Sequence, residues 1–255
     1  MNNCALITGP TAGIGYELAR IFAARKFDLV LVARNQKRLD ELATELKAKH
    51  GVEIKVLPKD LAAPKAAREI FDAVRDLPVS VLVNNAGFGA YGPFAKTDLA
   101  LQTDMVQVNI VALMQLTHLF LQPMLARNSG RILNVASTAA FQPGPNMNVY
   151  YATKAFVYSF SYALADELQG TGITVTALCP GLTRTEFQAR ARLNPVGGWP
   201  AMDARTVAEI GYRGLMRGKR VVIAGLTNQV ASFFAKRAPQ RLTSAIVRRV
   251  HAKAG

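Results

Sequence analysis

Seven short apolar runs alternate with helix-periodic stretches along nearly the whole of this 255-residue chain. The runs cover residues 4–7, 28–32, 54–57, 79–83, 131–135, 173–178 and 220–224. Between them lie periodic segments at 14–26, 37–50, 64–76, 98–127, 150–169 and 203–216. Consecutive strands separated by helices must run parallel, because each helix carries the chain back across a face of the sheet. The runs show little polar alternation, as strands covered on both faces do. The expected fold is therefore α/β, a doubly wound parallel sheet of about seven strands with helices on both faces. Residues 1–225 form one domain on this reading, since the chain is too short for two generous ones. An irregular stretch at about 182–202, rich in Arg, Pro and Gly, follows the sixth strand and reads as a lid at the carboxyl edge.

The turn after the first strand is Thr8-Gly9-Pro10-Thr11-Ala12-Gly13-Ile14-Gly15. Gly9 permits the tight turn, while Gly13 and Gly15 let the backbone approach a pyrophosphate and the helix pack on the sheet. The helix N-terminus adds unpaired N–H groups and a partial positive charge. Pro10 removes one of the loop's backbone donors. At the end of the second strand stand Ala33 and Arg34, where an acid would favour NAD. A neutral residue followed by a cation suits the 2′-phosphate of NADP instead, although Arg34 also reads as an ordinary surface arginine. Asp60, followed by Leu61, closes the third strand and fits a hydrogen bond to an adenine amino group. Asn84-Asn85-Ala86-Gly87 closes the fourth with small residues that let the backbone meet an adenosine ribose; Asn84 reads equally as a brace between strands.

Tyr150 and Lys154 are four residues apart, so a phenol and an ammonium share one helix face. A lysine charge within a few ångströms lowers a phenol's pKa from its usual value of roughly 10, making a proton-transfer pair. The neighbouring Tyr151 has Ala155 at the same spacing, which offers no charge. Taken together, these motifs, with Asn109, Ser137 and Pro180-Gly181, resemble the short-chain dehydrogenase/reductase family over essentially the whole chain. The resemblance implies a Rossmann fold and an NADP(H)-dependent oxidoreductase of the NADP-preferring bacterial type. It makes Tyr150 the general acid in reduction and the base in oxidation, with Lys154 lowering its pKa and binding the nicotinamide ribose. Ser137 would polarise the substrate oxygen, and Asn109 would anchor a water in a proton relay. Thr11, Ala12, Ile14, Leu61, Asn85, Ala86, Gly87, Pro180, Gly181 and Thr185 would line the cofactor. Position 183 departs from the family pattern, holding Thr where an aliphatic residue is commoner.

Around the expected nicotinamide stand Phe88, Ala139, Phe141, Pro143, Met147, Phe187, Trp199 and Met202, an apolar set that suits a hydrophobic ketone or aldehyde. Arg184, Arg190 and Arg192 keep an acidic substrate open. The resemblance implies a homodimer or tetramer paired through the helices at 98–127 and 150–169. The alternative is a dinucleotide-binding regulator or redox sensor, but a sensor has no need of Ser137, Tyr150, Lys154 and Asn109 together.

Composition bounds the rest. Cys4 and Cys179 lie far apart in apolar runs, so neither a disulfide framework nor a metal site is expected. The start of the chain lacks the basic-then-apolar pattern of a signal peptide, and the uncharged stretch 105–126 carries too many polar groups for a good span. A cytoplasmic protein is the expectation. The net charge of +14 is uneven, since ten Lys or Arg and no Asp or Glu follow Glu209. The basic amphipathic segment 226–255 either packs on the domain and solvates its charges or rests peripherally on anionic lipid. Nonspecific nucleic-acid contact is a third reading, and no specific nucleic-acid partner is expected.

Overall fold

The computed structural model describes residues 3–191 and 201–252. Strand β1 (Cys4–Thr8) leads into α1 (Gly13–Ala24), β2 (Asp28–Ala33) into α2 (Gln36–His50), and β3 (Ile54–Pro58) into α3 (Ala66–Ala73). Then come β4 (Val79–Asn84), α4 (Leu99–Val106), α5 (Leu113–Ala126), β5 (Gly130–Val135), α6 (Asn148–Glu167) and β6 (Ile173–Cys179). Short β7 (Thr183–Arg184), α7 (Phe187–Arg190) and β8 (Met202–Asp203) precede α8 (Ala204–Met216), β9 (Val221–Ile223), α9 (Leu226–Ala235) and α10 (Gln240–Ala252).

Seven strands form one parallel sheet in the order β3-β2-β1-β4-β5-β6-β9, the doubly wound arrangement expected. Alternate side chains of β1 divide between its faces. Ala5 and Ile7 join a core with Leu18, Phe22, Leu39 and Leu215 from α1, α2 and α8. Cys4 and Leu6 join the opposite core with Ile70, Leu116, Phe120 and Leu164 from α3, α5 and α6. Strand order reverses between β1 and β4, so the turns after these strands leave towards opposite faces and open a crevice at the carboxyl edge.

The 98–127 segment is not the single regular helix that its periodicity suggests. Residues Gln107–Ala112 form a π-helical turn between α4 and α5. This stretch is long and apolar enough to cross a membrane by length and composition, yet Leu116, Phe120 and Met124 lie in the core. Asn84 is a brace. Its Nδ2 donates to Thr117 Oγ1 at 3.0 Å and Asn134 Oδ1 at 2.9 Å, and Asn134 Nδ2 donates to Ser161 Oγ at 2.9 Å. The chain of amides ties β4, β5, α5 and α6 beneath the crevice. Leaving one such buried group unpaired costs about 1–3 kcal/mol.

A small parallel pair, β7 with β8, clasps the two ends of the segment expected to act as a lid. Residues 192–200, which include Arg192 and Trp199, lie outside the described residues.

Candidate active site

The glycine turn is held from below by two side chains. Thr8 Oγ1 accepts the N–H groups of Asn85 and Ala86, each at 3.0 Å, and donates to Val83 O at 3.3 Å. Asn85 Nδ2 donates to the carbonyls of Thr8 and Gly9 at 2.9 and 3.0 Å. Gly9 has φ +66, and a Cβ there would stand 3.0 Å from the Ala86 backbone. A Cβ on Gly15 would meet Gly9 O and Asn85 Nδ2 at 2.3 Å, a gap that no side chain fits. Asn85 and Ala86 thus shape the phosphate turn itself, which is more than the ribose approach expected of them.

Helix α1 begins beyond this turn with Ala12 as its N-cap, no side-chain cap and no acid in its first turn. Its first N–H groups and their partial positive charge are therefore left for an anion. Thr11 and Ile14 flank Ala12 and Gly13, with Ile14 partly packed into the core. Thr185 lies over this opening, close enough that a Cβ on Gly13 would stand 2.8 Å from its Cγ2, and its Oγ1 accepts the Phe187 N–H at 3.2 Å. These features fit a pyrophosphate.

At the far edge Arg34 is highly exposed and reaches Asp60 at 4.0 Å, a loose surface pair worth about 0–1 kcal/mol. Asp60 Oδ1 also accepts the Ala62 N–H at 3.0 Å, and Leu61 beside it is buried in the core. Sequence reasoning missed a second cation. Arg38, in the first turn of α2, donates to both carboxylate oxygens of Glu186 at 3.2 Å, joining this edge to the segment before α7. Its place in the first turn of the helix that follows Arg34 was the available signal.

At the other end, Ser137 caps the short turn Thr138–Phe141, with its Oγ accepting the Ala139 N–H at 3.1 Å and donating to Pro180 O at 3.5 Å. The Ser137 hydroxyl also hydrogen-bonds the Tyr150 phenol. Lys154 is buried and its Nζ donates to Val135 O at 2.8 Å, 5.8 Å from the centre of the Tyr150 ring. Gly87 passes close by, such that a Cβ would stand 3.0 Å from Asn109 Oδ1 and 3.3 Å from Lys154 Nζ. Asn109, inside the π turn, accepts the Phe88 N–H at 3.1 Å and donates to Phe88 O and Thr153 Oγ1, each at 3.0 Å. The side chain thereby fixes the loop after β4 against α6. Thr153, unremarked in the sequence, shares in that tie.

The electrostatics differ from the sequence expectation. Burial pushes the Tyr150 phenol up to about 12, and the Ser137 hydrogen bond only partly offsets it. Burial likewise brings Lys154 down to about 8. The lysine's ammonium is turned to Val135 O rather than to the phenol, so burial dominates. As it stands, the phenol is an acid that keeps its proton, above an ammonium that titrates near neutrality.

Phe187 tilts against Tyr150 with ring centres 5.2 Å apart, and Gly89 lies beneath Phe187, Tyr150 and Met147. Phe141 faces elsewhere. Its ring packs edge-on to Tyr158 at 5.0 Å and under Lys236 Nζ at 4.2 Å, because the 138–141 turn lies against α9. It belongs to the wall between that turn and α9. Gly181 abuts Asn228 of α9, while Thr183, the departure from the family pattern, is buried and donates to Gly181 O at 3.0 Å. Arg184 is tied to Ala201 O at 2.9 Å. No metal-holding group of His, Cys, Asp and Glu occurs among the described residues.

Comparison with known proteins agrees with this geometry. The family model described as short chain dehydrogenase matches residues 3–195. A sulfoacetaldehyde reductase 2 from Chromohalobacter salexigens is 40% identical over 191 residues, covering 73% of this chain and 75% of that protein. Among solved structures, a short-chain dehydrogenase from Sphingobium yanoikuyae in complex with NADPH has a TM-score of 0.85 and 33% identity, covering 95% of both chains. A family member from Burkholderia phymatum in complex with NAD has a TM-score of 0.82 over 91% of this chain and 92% of that one; at 23% identity it shows the fold alone.

Proposed function

The chain belongs to the short-chain dehydrogenase/reductase family, and on that premise we propose that it is an NADP(H)-dependent oxidoreductase interconverting a carbonyl and an alcohol. The observation that carries the reading is the meeting of Ser137, Tyr150 and Lys154 beside an uncapped α1 N-terminus at the carboxyl edge. The cofactor, when bound, supplies or accepts the hydride. Tyr150 gives its proton to the substrate oxygen in reduction and takes one in oxidation. Ser137 holds that oxygen, Lys154 supplies positive potential below the phenol, and Asn109 keeps the loop over Lys154 in place. Arg34, with Arg38 once released from Glu186, would receive the 2′-phosphate. A regulator would have no use for this relay, which favours the enzymatic reading.

Met147 and Phe187 around the phenol suit a hydrophobic ketone or aldehyde. The reductase relative from Chromohalobacter salexigens gives reason to test a small anionic aldehyde beside it. Exposed Leu99, Leu101, Val106 and Met114 along 99–114 and Tyr162 on α6 offer an apolar face for a homodimer or tetramer.

The test is NADPH consumption against a panel of hydrophobic ketones, aldehydes and anionic aldehydes, followed by a pH profile on the best substrate. Tyr150 keeps its proton well above neutrality, whereas Lys154 loses its own near pH 8. Reduction should therefore be level below about pH 7 and decline as pH rises through about 8. No turnover across the panel, or a rate that climbs through that range, would count against the assignment.

A further inference from the structure

Helix α9 is packed inside out. Asn228, Ser232 and Ala235 share its inner face, and Ser232 is buried with no partner for its Oγ among the described residues. Its apolar residues face solvent at helical spacing: Leu226 is 76% exposed, Phe234 63%, and Val230 and Phe233 about half. Helix α10 continues the pattern, with Leu242 and Ile246 exposed. A soluble surface helix shows the reverse arrangement. Beside these side chains opens a cleft of about 650 Å³ between α8, the edge strand β9 and α9. Arg213, Arg217, Lys219, Lys236 and Arg237 line it, and none of them forms an ion pair among the described residues. Arg241, Arg248 and Arg249 add exposed cations on α10.

We propose that α9 and α10 dock on a membrane surface rich in anionic phospholipid, their outer apolar side chains entering the acyl boundary and the cleft cations taking the lipid phosphate. Charge selects this occupant. A symmetric contact sets a patch against its own copy, and here that would place cations against cations with no acid after Glu209 to relieve them. Bulky aliphatic residues among the cations suit the interfacial zone of a bilayer, where apolar area and basic charge act together. A phosphodiester backbone would use the cations alone and leave Leu226, Val230, Leu242 and Ile246 in water. The inner side of α9 packs on the turn after Ser137, but the docking face is its outer side and the cleft beside it, so the inference does not depend on the proposed reaction.

The experiment is co-sedimentation of the full chain with vesicles of phosphatidylcholine alone and of phosphatidylcholine mixed with phosphatidylglycerol, at low and high salt. Binding should be at least about tenfold greater on the anionic vesicles and fall with salt. Phe233→Ser with Phe234→Ser should reduce it by about tenfold or more with only a small drop in melting temperature, because Phe234 is exposed and Phe233 half-exposed against Arg237. Arg213→Gln with Arg217→Gln and Lys219→Gln should abolish the preference for anionic lipid. Inorganic phosphate, matched in ionic strength with chloride, should displace the protein no better than chloride; stronger displacement would mean a free-anion pocket instead. Equal binding to both vesicles, binding to neither, or retention on duplex DNA alone would overturn the proposal. So would a protein whose self-association, and not vesicle binding, is lost in the double Phe variant.

Discussion

Tyr150→Phe removes turnover, by roughly 10²–10⁴ in kcat, while leaving the affinity for NADPH within a few-fold. The change deletes one oxygen and keeps the ring that packs against Phe187 at 5.2 Å, so the wall of the site survives. On the proposed mechanism, what is lost is the proton donor. Ser137, which hydrogen-bonds that phenol, has no titrating group of its own to replace it. Lys154, brought down to about 8, carries a proton but directs its Nζ to Val135 O. Nor does Tyr151 substitute: its phenol is pushed up by burial and its ring lies against Gly144. Steady-state kinetics with a parallel NADPH titration separates the outcomes. Undiminished kcat would move the acid elsewhere, and loss of NADPH affinity with kcat intact would make Tyr150 a packing residue.

Gly15→Ala strikes the cofactor end as hard. The added methyl would meet a backbone oxygen, Gly9 O, and the amide Nδ2 of Asn85, both at 2.3 Å. Neither yields cheaply, since Asn85 is fixed by bonds to Thr8 O and Gly9 O, and Gly9 N–H is tied to Val32 O at 2.8 Å. Relief requires the turn or α1 to shift, at a cost of about 1–3 kcal/mol in stability. The same shift misplaces the α1 N-terminus from its anion, and NADPH affinity should fall by at least about a hundredfold. Gly51→Ala is the control. That residue has φ +62 at the end of α2 with nothing within 4 Å of an added Cβ, so only local strain is expected, about 1 kcal/mol. Equal NADPH affinity in the Gly15 and wild-type proteins would remove the turn from the binding site.

The sheet was legible because its strands are buried on both faces. An apolar run bounded by turn residues has few other ways to be satisfied, and β1, β2 and β5 lie within a residue of where periodicity placed them. The glycine turn was legible for a similar reason, since positive φ and close approach leave few residue choices. Other features depend on contacts between distant residues. Nothing local in Gln107–Ala112 marks a π turn; Asn109 is bound there to Phe88 and Thr153, which are 21 and 44 residues away. The Arg38–Glu186 pair spans 148 positions. Phe141 was grouped with the apolar residues expected around the nicotinamide; that its ring packs under Lys236 follows from the lie of α9, which the local sequence does not reveal. The raised phenol shows that spacing finds neighbours without weighing burial against charge. Likewise, the period of α9 marks a helix, but which side it turns inward is a matter of packing.

The central claim is that this site takes NADPH. Its most direct measurement is an equilibrium titration of the purified protein with NADPH and NADH, followed by nicotinamide fluorescence, on wild type and Arg34→Ala. Arg34 is 74% exposed at the side chain and engaged only loosely with Asp60, so it is available to a 2′-phosphate. The account predicts NADPH binding at least about tenfold tighter than NADH, with that margin largely lost in the variant. Equal affinity for the two in wild type, tighter NADH, or binding of neither would contradict it.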